Sequence, residues 1–598
     1  MDPTSTKMKD AAFARCRQSR VCLVLIAVLA IFTLPADKAQ SLNTVVTTCT
    51  ESSLRAAIAN GGYISFNCGS APITITVTAE LEVTIDTVID GGNVITISGG
   101  DVTRVFHTSN YVALTLKNLT ISHGKPLSGN GSGGAIYGGW RGKITIVHCR
   151  FENNDGTAGL METGGGAIFV AAGSTLSISS SVFIGNRGAQ GGAINNLLSG
   201  LTVLNSQFIN NDSTAGGSAD YGYGGAIYTD GASEYPNDPV GGLIRIEKTT
   251  FQGNTAAGQG GAVQAWTYLP DEVYISDSTF DSNQVVLRPD GQAYGGGLRL
   301  GRGNMTVVNS TFVNNLAHSQ GGALWIGDSN ADVTLSNDTL ENNAAVSLTG
   351  TGGLGGGIMM TSGQLVMNNL TIANNHAGFM GGGIYGGGTN VVLHNTIIAT
   401  NTASNPWGIK QQCSDVLVDG GNNLQFPRNN PTDLIRPECT TAIQLGDPHL
   451  SALANNGGPT WTMALGFNSP ALDAGNNSSC SLTDQRGIPR PQGASCDIGA
   501  YESVTRLSLN PTIVFAGDPG FTLTVIGDYF GPGNIVQWNG TDLTTSVVDR
   551  IFLQAAVPSA EISVPSNISI TVTASDLPAA TLQVLPLASR VYLPLLSR

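Results

Sequence analysis

Hydrophobic positions through the middle of this chain recur in a fixed phrase. It opens with two apolar residues separated by one other residue, as at Ile144/Ile146, Ile244/Ile246, Met305/Val307 and Leu365/Met367. A period of two marks a strand with one buried face, whereas an amphipathic helix would space its apolar residues by three and four. Five residues after the pair stands an apolar anchor: Phe151, Phe183, Phe208, Phe251, Phe280, Phe312, Leu340, Ile372 or Ile398. Three residues beyond each anchor comes an Asn: 154, 186, 211, 254, 283, 315, 343, 375 or 401. The step of five breaks the alternation, so a bend is predicted between strand and anchor. Each unit closes on a glycine pair and a second short apolar run, as in GGAIY from Gly133 and GGALW from Gly321.

The repeat runs from 25 residues (Phe183 to Phe208) to 43 (Phe208 to Phe251), the excess falling in polar loops. Repeats of this length mean a solenoid or a propeller. A propeller blade would need four strands with aspartate and tryptophan punctuation, and a leucine-rich repeat would carry a Leu-rich consensus with helical stretches. Short strands between Gly and Asn corners predict a parallel β-helix instead, each coil stacking about 4.8 Å above the last. In such a stack the anchors form a buried column. The recurring Asn is expected both to turn the chain left-handed and to pass amide bonds from coil to coil. Asn309, Asn337, Asn369 and Asn395, three residues before their anchors, suggest a second ladder.

Composition narrows the class. The chain has 78 Gly, only 12% charged residues and a formal charge of −14, a field that repels phosphate backbones, so nucleic acid is not an expected partner. Near the N-terminus, KMKDAAFARCRQSR precedes the apolar run VCLVLIAVLAIFTL, which is short of the roughly 20 residues of a spanning helix. Residues 1–39 are therefore read as a secretory signal removed near Ala36 to Ala39, with no integral membrane segment in the mature chain and an extracellular or cell-surface location. Cys16 and Cys22 fall inside that signal. Cys49 with Cys68, Cys413 with Cys439 and Cys480 with Cys496 lie close in sequence and read as three local disulfides, leaving Cys149 over. No pair has the two-to-four-residue spacing of a zinc knuckle.

Domain boundaries follow from where the phrase starts and stops. Residues 40–132 read as an N-terminal cap, with a short helix between Cys49 and Cys68, and irregular first coils. Residues 133–408 hold nine repeats, and 409–503 form a Cys- and Pro-containing C-terminal cap. Residues 504–586 alternate over short strands with Gly and Pro turns, as a β-sandwich does, and 587–598 are a tail.

The coupled GGAI and FxxN phrases resemble the repeats of chlamydial polymorphic outer-membrane proteins, which are β-helical surface adhesins. CTESSLRAAI, from Cys49, is similar to a segment at the start of many secreted bacterial β-helix proteins, with Ala57 at its usual acidic position. GDPHLSALANNGGPTWTMALGFNSPALDAGN and DQRGIPRPQGASCDIGAYE are similar to the terminal region of those proteins, residues 504–586 resemble an immunoglobulin-like IPT/TIG domain, and RVYLPLLSR looks like a terminal phrase of some secreted bacterial proteins. The resemblance implies an all-β protein: a right-handed parallel β-helix followed by a small immunoglobulin-like β-sandwich. The chlamydial proteins end in a large membrane barrel; residues 504–598 here read as one sandwich and a tail.

Parallel β-helices also host polysaccharide lyases and hydrolases, whose chemistry needs paired carboxylates or a carboxylate cluster holding Ca²⁺ beside a basic side chain. Asp230, Asp271 and Glu272, with Arg299 and Arg302, are the nearest candidates, but they share no repeated offset. No GxSxG elbow occurs and no His pair has metal-ligand spacing, so no catalytic residue, metal or cofactor is assigned. A binding face has more support. Tyr137, Phe169, Tyr228, Trp325 and Tyr385 follow the apolar position of the glycine strand and are expected to point outward, with Trp266 on the same face. Asn195, Arg299 and Met359 interrupt the series. Outward aromatics stack on sugar rings or anchor protein contacts. The expected role is a rod-like adhesive, structural or carbohydrate-binding scaffold, its partner a surface polysaccharide or another cell-surface protein; the alternative is a lyase or glycoside hydrolase acting on acidic polysaccharide.

Overall fold

A computed structural model describes residues 43–589 apart from 128–131, 160–162, 217–220, 237, 328–331, 431–436, 467, 505, 529, 576 and 588. The signal 1–39 and the phrase RVYLPLLSR lie outside the described residues. The chain forms a right-handed parallel β-solenoid of about 12 turns with almost no helix. Each regular coil contributes two strands to a 26-stranded sheet, such as Asn304–Val308 and Thr311–Val313, and one to an 11-stranded sheet, such as Leu324–Gly327. Later coils add a strand to a six-stranded sheet. Pairing is parallel and in register, Val273 opposite Met305 and Phe280 opposite Phe312.

The anchors form the column that the pattern predicts. Phe151, Phe183, Phe208, Phe251, Phe280 and Phe312 stack ring on ring, centroids 4.5–5.1 Å apart and planes within 16°. All six are buried, each contributing on the order of 2–3 kcal/mol by leaving water. Leu340, Ile372 and Ile398 continue the column.

Beside it runs an amide ladder. Each recurring Asn from 154 to 375 donates Nδ2–H to Oδ1 of the next, at 2.8–3.0 Å, and the last, Asn401, donates to Gln412 Oε1 at 2.9 Å. The backbone N–H of each Asn donates to the same acceptor, as from Asn254 to Asn283 Oδ1 at 3.0 Å. The left-handed turn, however, belongs to the preceding residue: Asn153, Gly185, Asn210, Gly253, Ser282, Asn314, Asn342, Asn374 and Thr400 have φ of 53–65°, whereas none of the nine ladder Asn has a positive φ. One residue bends the chain and its neighbour ties the coils, because a side chain that must point inward cannot also occupy the outward corner.

Asn309, Asn337, Asn369 and Asn395 are a second left-handed corner, φ 47–56°. Their ladder is short: Asn309 donates to Asp277 and Asn337 to Asn309, each at 3.2 Å, whereas Asn369 and Asn395 donate to residues 476–499. A hydroxyl row lies one residue further on. Ser181, Ser206, Ser278 and Ser310 accept the backbone N–H of the coil before and donate to the carbonyl two residues upstream. Cys149 heads this row, its Sγ–H donating to Val147 O at 3.3 Å, so the leftover cysteine fills a serine-type position. At the glycine corner Gly321 has φ +65°, and a Cβ on Gly322 would lie 2.1 Å from Gly356 O of the next coil.

The first helix, Glu51–Asn60, is capped by Thr50 and buries Leu54, Ala57 and Ile58 against the first coils, with Cys49 and Cys68 joined beside it. The stretch expected to close the other end behaves in two ways. Val418–Asp419, Leu424–Phe426 and Gln444–Leu445 continue the large sheet, and Cys413 is joined to Cys439. Residues 448–503 then run back along the flank of the solenoid as a strap, closed locally by Cys480–Cys496. Thr460 donates to Asn309 O, Asn337 to Thr483 O, and Gln485 to Thr311 Oγ1. Met463, Ala464, Ile498 and Tyr501 cover Ala373, Ile397 and Ala399. Beyond the strap a four-stranded and a five-stranded sheet share a core that includes Leu523, Trp538, Leu553, Ile570 and Leu582. They meet the strap where the buried Arg486 guanidinium lies 3.6 Å over the Tyr501 ring and pairs with Asp484, while Tyr501 donates to Asp528.

Candidate ligand-binding face

The 11-stranded sheet carries the outward column. Strand alternation sends Ile227, Val263, Leu298 and Leu324 into the core and turns the next residue of each strand out. Register then stacks Tyr137, Phe169, Asn195, Tyr228, Gln264, Arg299, Trp325, Met359 and Tyr385 in one line. A parallel line two residues along holds Asp230, Trp266, Gly301 and Gly327.

Much of this line is covered. Phe169, Tyr228 and Trp325 are buried, while Tyr137, Trp266 and Tyr385 are half-buried. Tyr137 packs on Phe169 at 5.3 Å; Trp325 stacks on Tyr294 at 5.4 Å and donates Nε1–H to Gln320 Oε1 at 3.0 Å. The residue before each glycine pair supplies this cover: Tyr223, Gln259, Tyr294 and Gln320 form a flanking line of their own. Sequence reasoning passed over them, although their fixed place before the glycines was the available signal.

Between the two lines the face opens into a cavity of about 390 Å³ lined by Tyr223, Tyr228, Asp230, Gln259, Gln264, Trp266 and Arg299. The Arg299 guanidinium lies between two indoles, 5.0 Å from the Trp266 ring and 4.7 Å from Trp325, and Arg302 lies 5.0 Å from Trp266. Glycine makes room for these rings: a Cβ on Gly301 would come 2.6 Å from Trp266 Cε3, and one on Gly327 2.6 Å from Trp325 Cη2. Tyr268 donates its hydroxyl to Asp230 at 2.9 Å; burial first, then the Asp230 charge, push that phenol up to about 12. Arg288 donates to Tyr223 Oη at 2.7 Å. Gln264 is 1% exposed, and its Oε1 has no hydrogen-bond partner among the described residues.

Of the three acidic candidates only Asp230 lines the cavity. The Asp271 carboxylate is taken up in holding the loop of the preceding coil, accepting from the N–H groups of Ala232 and Gly242 and from Ser233, as well as from the N–H of Tyr268. Glu272 begins a strand of the other large sheet. At the N-terminal end of the outward column, Glu80, Glu82 and His107 hold potential ligand atoms within 4.8 Å of one another. Arg104 already pairs with Glu80 at 2.6 Å and donates to the Ser132 and Gly133 carbonyls, so a fixed cation stands in the cluster. The bond to Glu80 raises the His107 pKa above its ordinary value, against the opposing effect of burial.

Stacked strands, an inner amide ladder and an outward aromatic line define a right-handed parallel β-solenoid. A family model described as a right handed beta helix region matches residues 267–430, and one described as the Chlamydia polymorphic membrane protein repeat matches residues 248–265, the coil holding Phe251 and Asn254. Probable autotransporter YfaL of Escherichia coli (strain K12) is 28% identical over 216 residues. That match covers 33% of this chain and 14% of YfaL, so the chain spans only a small part of that relative's length. Among the described residues no helix is long and apolar enough to cross a membrane.

Proposed function

We propose that this protein is an exported, surface-displayed β-solenoid that binds carbohydrate in the cavity of its 11-stranded sheet and so serves in adhesion. The observation that carries the reading is the cavity itself: Tyr223, Tyr228 and Trp266 supply ring surface while Asp230, Gln259, Gln264 and Arg299 supply planar polar groups. Saccharide sites combine such apolar walls with a few fixed hydrogen-bonding groups. Export is supported by the signal-like N-terminus, by three disulfides, which persist in oxidising compartments, and by likeness to an autotransporter. In the same reading residues 40–132 open the solenoid, 133–408 are its regular coils, 409–503 close and brace it, and 504–586 are an immunoglobulin-like IPT/TIG domain carried on the strap. Binding is favoured over bond cleavage because, among the described residues, a single carboxylate lines the cavity, and acid–base hydrolysis works with two. The test is a glycan array probed with the full chain and with Trp266→Ala. Retention of selected glycans by the parent, lost in the variant, is the expected result; a blank array for the parent would sink the proposal.

A further inference from the structure

The polar groups of the cavity say which saccharides suit it, given that it is a saccharide site at all. Gln264 stands in the outward column between Tyr228 and Arg299, in register with both. Its side chain is buried, and Oε1 is an acceptor without a donor among the described residues. A buried amide oxygen left without a donor is costly, so its retention at the base of a cavity marks a place for a donor brought by a ligand. The second oxygen-bearing group is the Asp230 carboxylate, which already draws the Tyr268 hydroxyl at 2.9 Å. Both groups ask for hydroxyl or N–H donors, and Asp230 would repel an incoming carboxylate. Arg299, the one cation lining the cavity among the described residues, is held against two indole faces. Its positive charge therefore faces π-electron density, and its side chain is wedged in place rather than free to swing onto an acid.

We infer that the cavity takes an uncharged pyranose ring, its hydroxyls donating to Gln264 Oε1 and Asp230, in preference to a uronate or a sialic acid. The closing experiment is calorimetric titration of the full chain with neutral hexasaccharides (cellohexaose, maltohexaose and mannohexaose) and with hexagalacturonate and sialyllactose. At least one neutral probe is expected to bind ten or more times more tightly than either acid. Gln264→Leu, which keeps the bulk and removes the acceptor, is expected to weaken that probe about tenfold, with a thermal midpoint equal to the parent's or higher because the unpartnered oxygen has gone. A merely structural Gln264 would instead lower the midpoint and spare the affinity, and that result overturns the inference. Should the variant not fold, the neutral-to-acidic preference of the parent decides the matter alone. Tighter binding of an acidic probe overturns the inference and leaves the cavity as a saccharide site; no binding of any probe overturns the binding function as well.

Discussion

Asn283 offers the sharpest test of how the coils are tied together. Its side chain is buried and makes four of the ladder's bonds. Oδ1 accepts from Asn254 Nδ2 at 2.9 Å and from the Asn254 backbone N–H at 3.0 Å; Nδ2 donates to Asn315 Oδ1 and to Phe251 O, both at 3.0 Å. Asn283→Ala leaves two donors on Asn254 and the Phe251 carbonyl facing an apolar gap that water does not reach. At about 1–3 kcal/mol for each of these three buried groups left unsatisfied, the loss comes to about 3–9 kcal/mol. Ser282, the left-handed residue beside it at φ 56°, is the internal control. Ser282→Gly relieves a conformation costly for a residue with a Cβ, as Gly185 and Gly253 do in other coils, and the gain is offset by the greater freedom of glycine in the unfolded chain. It is expected to change stability by less than about 1 kcal/mol. Urea unfolding followed by fluorescence gives the totals. Hydrogen exchange is needed beside it, because stacked repeats can lose one segment before the rest; the Asn283→Ala loss should centre on the coils of Phe251, Phe280 and Phe312. A cost below about 1 kcal/mol for Asn283→Ala, or an equal cost for Ser282→Gly, would refute the division of labour between corner and ladder.

Two further outcomes follow from the same geometry. Cys149 occupies a serine position of the hydroxyl row and burial pushes its thiol up to about 11, so the native protein should not alkylate there with iodoacetamide at pH 8 until unfolded, and Cys149→Ser should cost less than about 1 kcal/mol in a thermal melt. In the strap, burial pushes Asp497 up to about 7, with the neighbouring Glu502 charge adding to the rise, from an ordinary value near 3.8. A folded pKa above the unfolded one means that its contribution is full below pH 4 and is lost as pH rises through about 7. Limited proteolysis of residues 448–503 should therefore quicken between pH 5 and pH 7.5 in the parent, and Asp497→Asn should flatten that change.

Repetition made most of the solenoid legible. A single apolar pair at spacing two says little, but nine copies with an anchor five residues on and an Asn three beyond cannot be placed on a helix, and they stack in one register only. The inward column and the amide ladder follow directly, since each depends on neighbours at the same place in the repeat. The assignment of corner and ladder to two adjacent residues was not legible: Asn stands at both positions in several coils, and only backbone angles separate Asn314, at φ 57°, from Asn315.

For the outward face, sequence determined which side chains leave the core; the tertiary structure decided which of them meet solvent. Trp325 was set outward by strand alternation, yet Tyr294, one coil earlier, stacks over it. Gln264 and Tyr223 entered the picture only when loops and strands were assembled around one cavity. The strap is the same lesson at larger scale. Thr311, Thr339 and Ile397 occupy a position that holds Arg150 and Gln207 in earlier coils, and they are buried because residues 448–503 return across them. Alternation and repeat are local properties, carried by every coil in its own residues. Cover is a contact between segments far apart in the chain, and burial of a surface is decided by whatever comes to lie on it.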